Sequence, residues 1–204
     1  MLIGIDFDNT LVSYDEVFRI AARERGLIPD DFAGTKQEVR DHIRLLPDGE
    51  ITWQHLQGYV YGRGIAGATM FEGVDGFLRR AQAEGLPVVV VSHKTEYGHY
   101  DPERVNLREA ARAWMRDKGF FTAAGYDIPT ENVFFEACRA EKLRRIASLG
   151  CTHFIDDLEE VLDDPGFPPG TTRILFSQSK PSGLAPYRVC ASWDEIEEQV
   201  FERA

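Results

Sequence analysis

The chain has 204 residues, 43% hydrophobic and 28% charged, which is typical of a folded globular protein. Its 34 acidic residues outnumber 23 basic ones, and the net charge of -11 argues against an extended nucleic-acid interface. No apolar run approaches the roughly 20 residues needed to span a bilayer. The opening MLIGIDFD carries carboxylates where a secretion signal would be basic and then apolar. Together with the net charge, these features lead us to expect neither a membrane nor a nucleic-acid partner.

Strands and helices alternate along most of the chain, which predicts a three-layer, doubly wound α/β fold with a mostly parallel sheet. The predicted strands are 2–7, 88–91, 133–135, 153–155 and 173–176. The predicted helices are 74–84, 102–118, 139–149, 157–162 and a last one from Ser192, which opens with a capping box formed with Glu195. Gly85, Gly119 and Gly150 follow three of these helices, as helix stop signals usually do.

One segment, 14–71, interrupts the alternation. It contains no convincing strand, only helical patterns at 15–25, 36–46 and 52–61 separated by Gly and Pro. We interpret it as a small all-helical cap domain inserted after the first strand of an α/β core made of 1–13 and 72–204. The alternative is that these helices simply extend the core.

Four sets of polar residues stand at or just beyond predicted strand ends, where open α/β sheets bind their ligands. The sets are Asp6-Phe7-Asp8-Asn9-Thr10, Ser92, Lys142 in the helix after the third strand, and Asp156-Asp157. Residues two apart on an extended strand point the same way, so Asp6 and Asp8 are expected to share one site.

These residue types suit the hydrolysis of a phosphate monoester, whose barrier must fall by about 20 kcal/mol. A carboxylate nucleophile divides the reaction into two displacements, and a second acid protonates the leaving alkoxide and later deprotonates water. Mg²⁺, held by carboxylate oxygens, would relieve the repulsion between these acids and the phosphate. Lys142 would balance the remaining charge, and Ser92 would donate a hydrogen bond to a phosphoryl oxygen.

The four motifs resemble those of the haloacid dehalogenase superfamily, with DFDNT, VVVVSHK, EACRAEKLRRI and FIDDLEEVL in the family's order. The resemblance implies an α/β core with a helical cap, Asp6 as the nucleophile and Asp8 as the general acid and base, oriented by Thr10. It also implies an Mg²⁺ site made by Asp6, the backbone carbonyl of Asp8, Asp156 and, directly or through water, Asp157.

Asp8 also distinguishes the reactions of that superfamily. Its dehalogenases lack an acid two residues after the nucleophile, and its transport ATPases carry Thr there. An Asp at this position favours a phosphatase, with a phosphomutase as the alternative. A non-catalytic regulator that accepts phosphate is less favoured. Receiver modules place their pair of adjacent acids after the first strand, whereas in this chain the adjacent pair, Asp156-Asp157, comes late in the sequence.

Two assignments stay open. Lys94, two residues after Ser92, competes with Lys142 as the cation that balances the phosphate. Glu160 competes with Asp157 as the second outer acid.

The candidate substrate contacts are Asn9, His93 and Lys94, the last two within a polar stretch, 93–100, that could equally be an ordinary surface loop. The expected ligand is a small phosphorylated metabolite, a sugar phosphate or nucleotide, since one Mg²⁺ and a few basic groups can outweigh the global charge at short range. The cysteines lack metal-ligand spacing and are interpreted as reduced thiols of a cytoplasmic protein: Cys138, Cys151 and Cys190.

Overall fold

A computed structural model describes residues 1–101, 103–178 and 186–201. Internal contacts divide the chain into two compact units. The first unit contains Met1–Val12, Met70–Lys94 and Lys118–Ala204, and the second contains Ser13–Thr69 and Thr95–Asp117. Within the described ranges, every helix is too short or too polar to cross a membrane.

The strands of the described chain are β1 (Ile3–Ile5), β2 (Val12–Ser13), β3 (Thr69–Met70), β4 (Val88–His93), β5 (Val133–Glu136), β6 (His153–Asp156), β7 (Thr172–Phe176) and β8 (Arg188–Cys190). Its α-helices are α1 (Asp15–Glu24), α2 (Lys36–Arg44), α3 (Gly49–Tyr61), α4 (Val74–Ala83), α5 (Leu107–Asp117), α6 (Arg139–Leu149), α7 (Glu159–Leu162) and α8 (Trp193–Phe201). Short 3₁₀ turns lie at Arg63–Gly67 and Thr130–Asn132.

The first unit is built on a six-stranded sheet in the order β5-β4-β1-β6-β7-β8, with every pairing parallel. Parallel strands covered on both faces read as continuous apolar runs, and Val88–Val91 within β4 is buried throughout. Ile5 pairs with Val90 on one side and Ile155 on the other, so Asp6 and Asp156 follow paired residues of neighbouring strands. The predicted α/β fold class is confirmed.

Local signals account for the helix ends in this unit. Helix α6 has the predicted bounds and ends at Gly150, whose φ of 70° is the left-handed conformation that glycine adopts without strain. Ser192 Oγ accepts the Glu195 N–H at 3.2 Å, while the Glu195 carboxylate reaches back to the Ala191 N–H at 2.7 Å. Helix α7 begins two residues later than predicted, after Leu158 in extended conformation.

The second unit contains α1, α2, α3 and α5 around an aromatic core. Phe18 stacks on Trp53 with ring centres 4.8 Å apart, and the buried indole of Trp114 on α5 donates to the Ala68 carbonyl at 3.0 Å. Helix α5 starts at Leu107 because the side chain of Asn106 accepts the N–H groups of the next turn. The predicted start of this helix, residue 102, lies outside the described residues. The assignment of 14–71 as a cap remains a prediction.

Candidate active site

A tight loop follows β1 and carries the first motif. The Phe7 carbonyl accepts the N–H groups of Leu11 and Val12, each at 3.2 Å, and the Asn9 N–H donates to the Val12 carbonyl at 3.0 Å. Asn9 has a φ of 59°, a left-handed conformation that Asn tolerates better than most residues. The loop therefore turns directly after Asp8 and keeps this segment at the carboxyl edge of the sheet.

Asp6, Lys142 and Asp156 form a buried ion triplet. Lys142 Nζ lies 2.5 Å from Asp6 Oδ1 and 2.6 Å from Asp156 Oδ2, and all three side chains are at most 6% exposed. Asp6 is fixed by its N–H, which donates to the Ile155 carbonyl at 2.9 Å, and Lys142 by its place on α6. The structure thus joins three of the residues that the motifs single out.

Burial and the neighbouring charges both shift the pKa values of Asp6 and Lys142. Burial raises the pKa of Asp6; the Lys142 ammonium lowers it, and the charges of Asp156 and Asp8 raise it further, so that the net pKa lies well above the usual range of an Asp. Burial would lower the pKa of Lys142, but Asp156 and Asp6 together hold it above its ordinary value. Additional positive charge at this point would favour the ionised form of Asp6.

Asp6, Asp156 and Asp157 could hold such a charge as a metal ion. Each offers a carboxylate oxygen, and these oxygens lie within 4.8 Å of one another. The Leu158 N–H donates to Asp156 Oδ1 at 3.1 Å and orients that carboxylate. Hard oxygen donors with excess negative charge are the set that Mg²⁺ prefers, so these residues fit the expected ion.

Of the two competing outer acids, Asp157 belongs to this carboxylate cluster. Glu160 is exposed, and its side chain lies 3.5 Å from the guanidinium of Arg139. Arg139 also contacts Asp164, at 3.2 Å. The geometry therefore favours Asp157 over Glu160 as the second acid.

The two competing cations have different partners. Lys94 Nζ lies 2.9 Å from Asp8 Oδ1 and 2.7 Å from Asp8 Oδ2, whereas Lys142 contacts Asp6 and Asp156. The Lys94 side chain is 3% exposed, and its backbone N–H donates to the Glu136 carbonyl at 3.0 Å. The acidic centre thus contains two buried ammonium groups: Lys94 pairs with Asp8, and Lys142 pairs with Asp6 and Asp156.

A cavity of about 90 Å³ opens onto this centre, enough for roughly three water molecules. Its lining includes seven of the predicted site residues: Asp6, Asp8, Asn9, Ser92, His93, Lys142 and Asp157. Ser92 is buried on β4, and His93 is exposed, its Nε2 3.1 Å from the Ala137 carbonyl.

Thr10 is fully buried below the loop and supports it. Its hydroxyl donates to Asp157 Oδ1 at 3.5 Å, and its carbonyl accepts the indole N–H of Trp193 at 3.2 Å. Sequence reasoning missed Trp193, because a residue 183 positions away in a C-terminal helix carries no local signal of this contact. Arg139, which lines the cavity, could have been found: it precedes Lys142 by three residues and shares its helix face.

Comparison with known proteins gives structural matches only. No family model matches the chain, and no curated protein matches it in sequence. A haloacid dehalogenase-like hydrolase from Streptococcus pneumoniae is 12% identical, with a TM-score of 0.57 over 96% of this chain and 95% of that one. Protein Tyrosine Kinase A from Mycobacterium tuberculosis is 16% identical, with a TM-score of 0.58 over 98% and 97%.

A haloacid dehalogenase family hydrolase from Deinococcus radiodurans, solved with bound phosphate and sodium, is 17% identical, with a TM-score of 0.50 over 98% of this chain and 95% of that one. At such identities the likeness establishes the fold. The chain therefore has the haloacid dehalogenase-like fold that the motifs led us to expect.

Proposed function

We propose that this protein is a magnesium-dependent phosphomonoester hydrolase that acts through an aspartyl-phosphate on Asp6. The observation that carries the proposal is the buried triplet of Asp6, Lys142 and Asp156 beside Asp8, at the carboxyl edge of a parallel sheet. The proposed nucleophile Asp6, the proposed balancing cation Lys142 and the proposed acid and base Asp8 all line one small cavity.

In the first step, a carboxylate oxygen of Asp6 attacks phosphorus, and the bond from phosphorus to the leaving oxygen breaks. Protonated Asp8 gives its proton to that oxygen, so the alcohol leaves neutral. In the second step, ionised Asp8 takes a proton from water, which attacks phosphorus and releases phosphate from Asp6. Lys142 offsets the negative charge on Asp6, and the Ser92 hydroxyl would donate to a phosphoryl oxygen.

The proposed Mg²⁺ ligands are Asp6, Asp156 and Asp157, with the Asp8 carbonyl added by the family resemblance. When bound, the ion supplies positive charge that offsets the repulsion between the carboxylates and a phosphoryl group. The chain's own part is to hold these acids close together and to orient Asp156 through the Leu158 N–H.

The proposed substrate is a small phosphorylated metabolite, a sugar phosphate or a nucleotide, handled in the cytoplasm. The cavity, about 90 Å³, suits a phosphoryl group with the remainder of the substrate outside it, and Asn9 and His93 line it as candidate contacts. The phosphate bound in the Deinococcus radiodurans neighbour supports this class of substrate. Another neighbour is named a tyrosine kinase, so the proposed reaction rests on the residues of the site and not on the fold alone. The helices of 14–71 are proposed to cap the site.

The test is release of phosphate from a generic aryl phosphate, with Mg²⁺ and with a chelator, in wild type and in Asp6→Asn. We expect activity that needs Mg²⁺ and that falls at least about 10⁴-fold in Asp6→Asn, because the nucleophile is lost. Chelator-insensitive activity, or full activity in Asp6→Asn, would overturn the proposal. Transfer of labelled phosphate to a second sugar hydroxyl, and not to water, would indicate the alternative, a phosphomutase.

A further inference from the structure

Lys94 Nζ donates hydrogen bonds to both carboxylate oxygens of Asp8, at 2.9 Å to Oδ1 and 2.7 Å to Oδ2. Two charge-assisted hydrogen bonds from one ammonium to both oxygens of one carboxylate restrict the rotation of that carboxylate. The Asp8 side chain is 19% exposed at the cavity, whereas Lys94, at 3% exposed, lies behind it. The contact is therefore made from the protein side of Asp8.

Lys94 is itself held rigidly. Its backbone follows β4 directly, and its N–H continues the sheet pairing by donating to the Glu136 carbonyl at 3.0 Å. Its ammonium also lies 5.4 Å from the centre of the Phe7 ring, within cation–π range. An unpaired buried ammonium is costly in free energy, so the ion pair between Lys94 and Asp8 is expected to persist.

The other buried ammonium does not duplicate this contact. Lys142 Nζ contacts Asp6 and Asp156 at 2.5 and 2.6 Å, so the nucleophile already has its own cation. A general acid and base must be held within about 0.5 Å of its productive position, and Asp8 stands on a loop that turns at the next residue.

We propose that Lys94 is a positioning residue that fixes the ionised carboxylate of Asp8 for taking a proton from the attacking water. The proposal rests on the function proposed above and deepens it. It replaces two roles that the sequence suggested for Lys94, direct contact with the substrate and balancing of the phosphate charge. Lys94 acts on the reaction only through Asp8.

The kinetic test compares the two steps of the reaction. In Lys94→Met we expect kcat, which includes the attack of water on the aspartyl-phosphate, to fall about 100-fold or more. The burst of phenolate from a dinitrophenyl phosphate, which needs no proton, should fall less than about tenfold. Lys118→Met, which removes an exposed lysine, is the matched control and should behave like wild type.

A double variant separates positioning from direct action. In the Asp8→Asn background the carboxylate is gone, so adding Lys94→Met should change the phenolate burst by less than about threefold. A further loss of more than about tenfold would mean that Lys94 acts on Asp6 or the phosphate, and a raised KM with unchanged kcat would mean substrate binding. Either result would overturn the proposal. The double variant removes both charges of the pair, so it answers the question even if Lys94→Met alone fails to fold.

A crystal structure provides a readout that needs no activity. In Lys94→Met, or in Lys94→Leu if the first does not crystallise, the Asp8 carboxylate should leave its position by more than about 1 Å, because it loses the two hydrogen bonds from Lys94. An unmoved Asp8 would overturn the inference. If wild type hydrolyses no phosphate ester, the proposed function fails, and this structure still decides whether Lys94 positions Asp8.

Discussion

Lys142 is enclosed by two carboxylates and is 2% exposed, so its charge and theirs depend on one another. Removing one member of such a buried set leaves charges that nothing offsets, and this costs far more than the intact set contributes. The same residues are therefore expected to govern the stability of the first unit and, in the proposed function, the reactivity of its site.

Lys142→Met is expected to lower the free energy of unfolding by about 3–5 kcal/mol, because Asp6 and Asp156 then face each other without an ammonium. Urea unfolding without Mg²⁺ measures it. Arg144→Met, on the same helix but with a side chain 76% exposed, is the control and should change the free energy by less than about 0.5 kcal/mol. Equal stability of Lys142→Met and wild type would contradict the account.

The assignment of Asp157 predicts how Mg²⁺ stabilises the protein. An ion that binds only the folded state raises the unfolding temperature, so we expect millimolar Mg²⁺ to raise Tm of wild type by several degrees. Asp157→Asn should abolish most of this rise, since Asp157 belongs to the carboxylate cluster, and Glu160→Gln should retain it. The two variants each remove one negative charge, so the opposite pattern would identify Glu160 as the ligand.

At the scale of elements, long patterns and local signals were readable from the sequence, and contacts between distant elements were not. Helix α6 has its predicted bounds because Gly150 stops it, and the central strands were found as apolar runs. Strands of two or three residues, such as β2, β3 and β8, are too short to show a period. Helix α5 was predicted too early because Asn106, its cap, was not recognised.

The candidate site divides in the same way. Asp6 and Asp156 were predicted to meet because both follow strands of one parallel sheet. The bidentate contact between Lys94 and Asp8 was not, because it depends on the pairing of β4 with β1 and on the course of two loops. Sequence spacing offers no measure of such distances.

Packing between β1 and β6 predicts the effect of a methyl group at Gly4. A Cβ there would lie 2.5 Å from Cδ2 of Phe154, which is fully buried and precedes Asp156 by two residues. Gly4→Ala should therefore lower the free energy of unfolding, measured in urea, by about 1–3 kcal/mol. Gly76→Ala in α4 is the control: apart from its chain neighbours and the backbone of its own helix, no described atom lies within 4 Å of its methyl, and a gain of about 0.5–1 kcal/mol in the free energy of unfolding is expected. Unchanged stability of Gly4→Ala would argue against this register.

At the scale of the whole molecule, two buried thiols predict how stability depends on pH. Burial raises the pKa of Cys151 and of Cys190 to about 11 each. Unfolded thiols ionise near pH 8.5, so between about pH 8.5 and 11 the folded state binds more protons and the free energy of unfolding falls as pH rises. The contribution is constant below that window.

Urea unfolding at several pH values should show a fall of about 1 kcal/mol per pH unit for each buried thiol. Cys151→Ala should make the decline shallower, whatever its effect on stability at neutral pH. Cys138→Ala, which changes an exposed cysteine, should leave the slope as in wild type. A slope that is the same in all three proteins would contradict the assignment to Cys151.

The central claim, that Asp6 carries the phosphoryl group, is tested most directly by trapping. Borohydride reduces an acyl phosphate to an alcohol, so quenching the protein with it during turnover of an aryl phosphate in Mg²⁺ should convert Asp6 to homoserine, identified by mass spectrometry of the peptide 1–19. Asp8→Asn should raise the trapped fraction, because water then lacks its base. Continued release of phosphate with Asp6 unmodified in both proteins, or reduction at another carboxylate, would contradict the account.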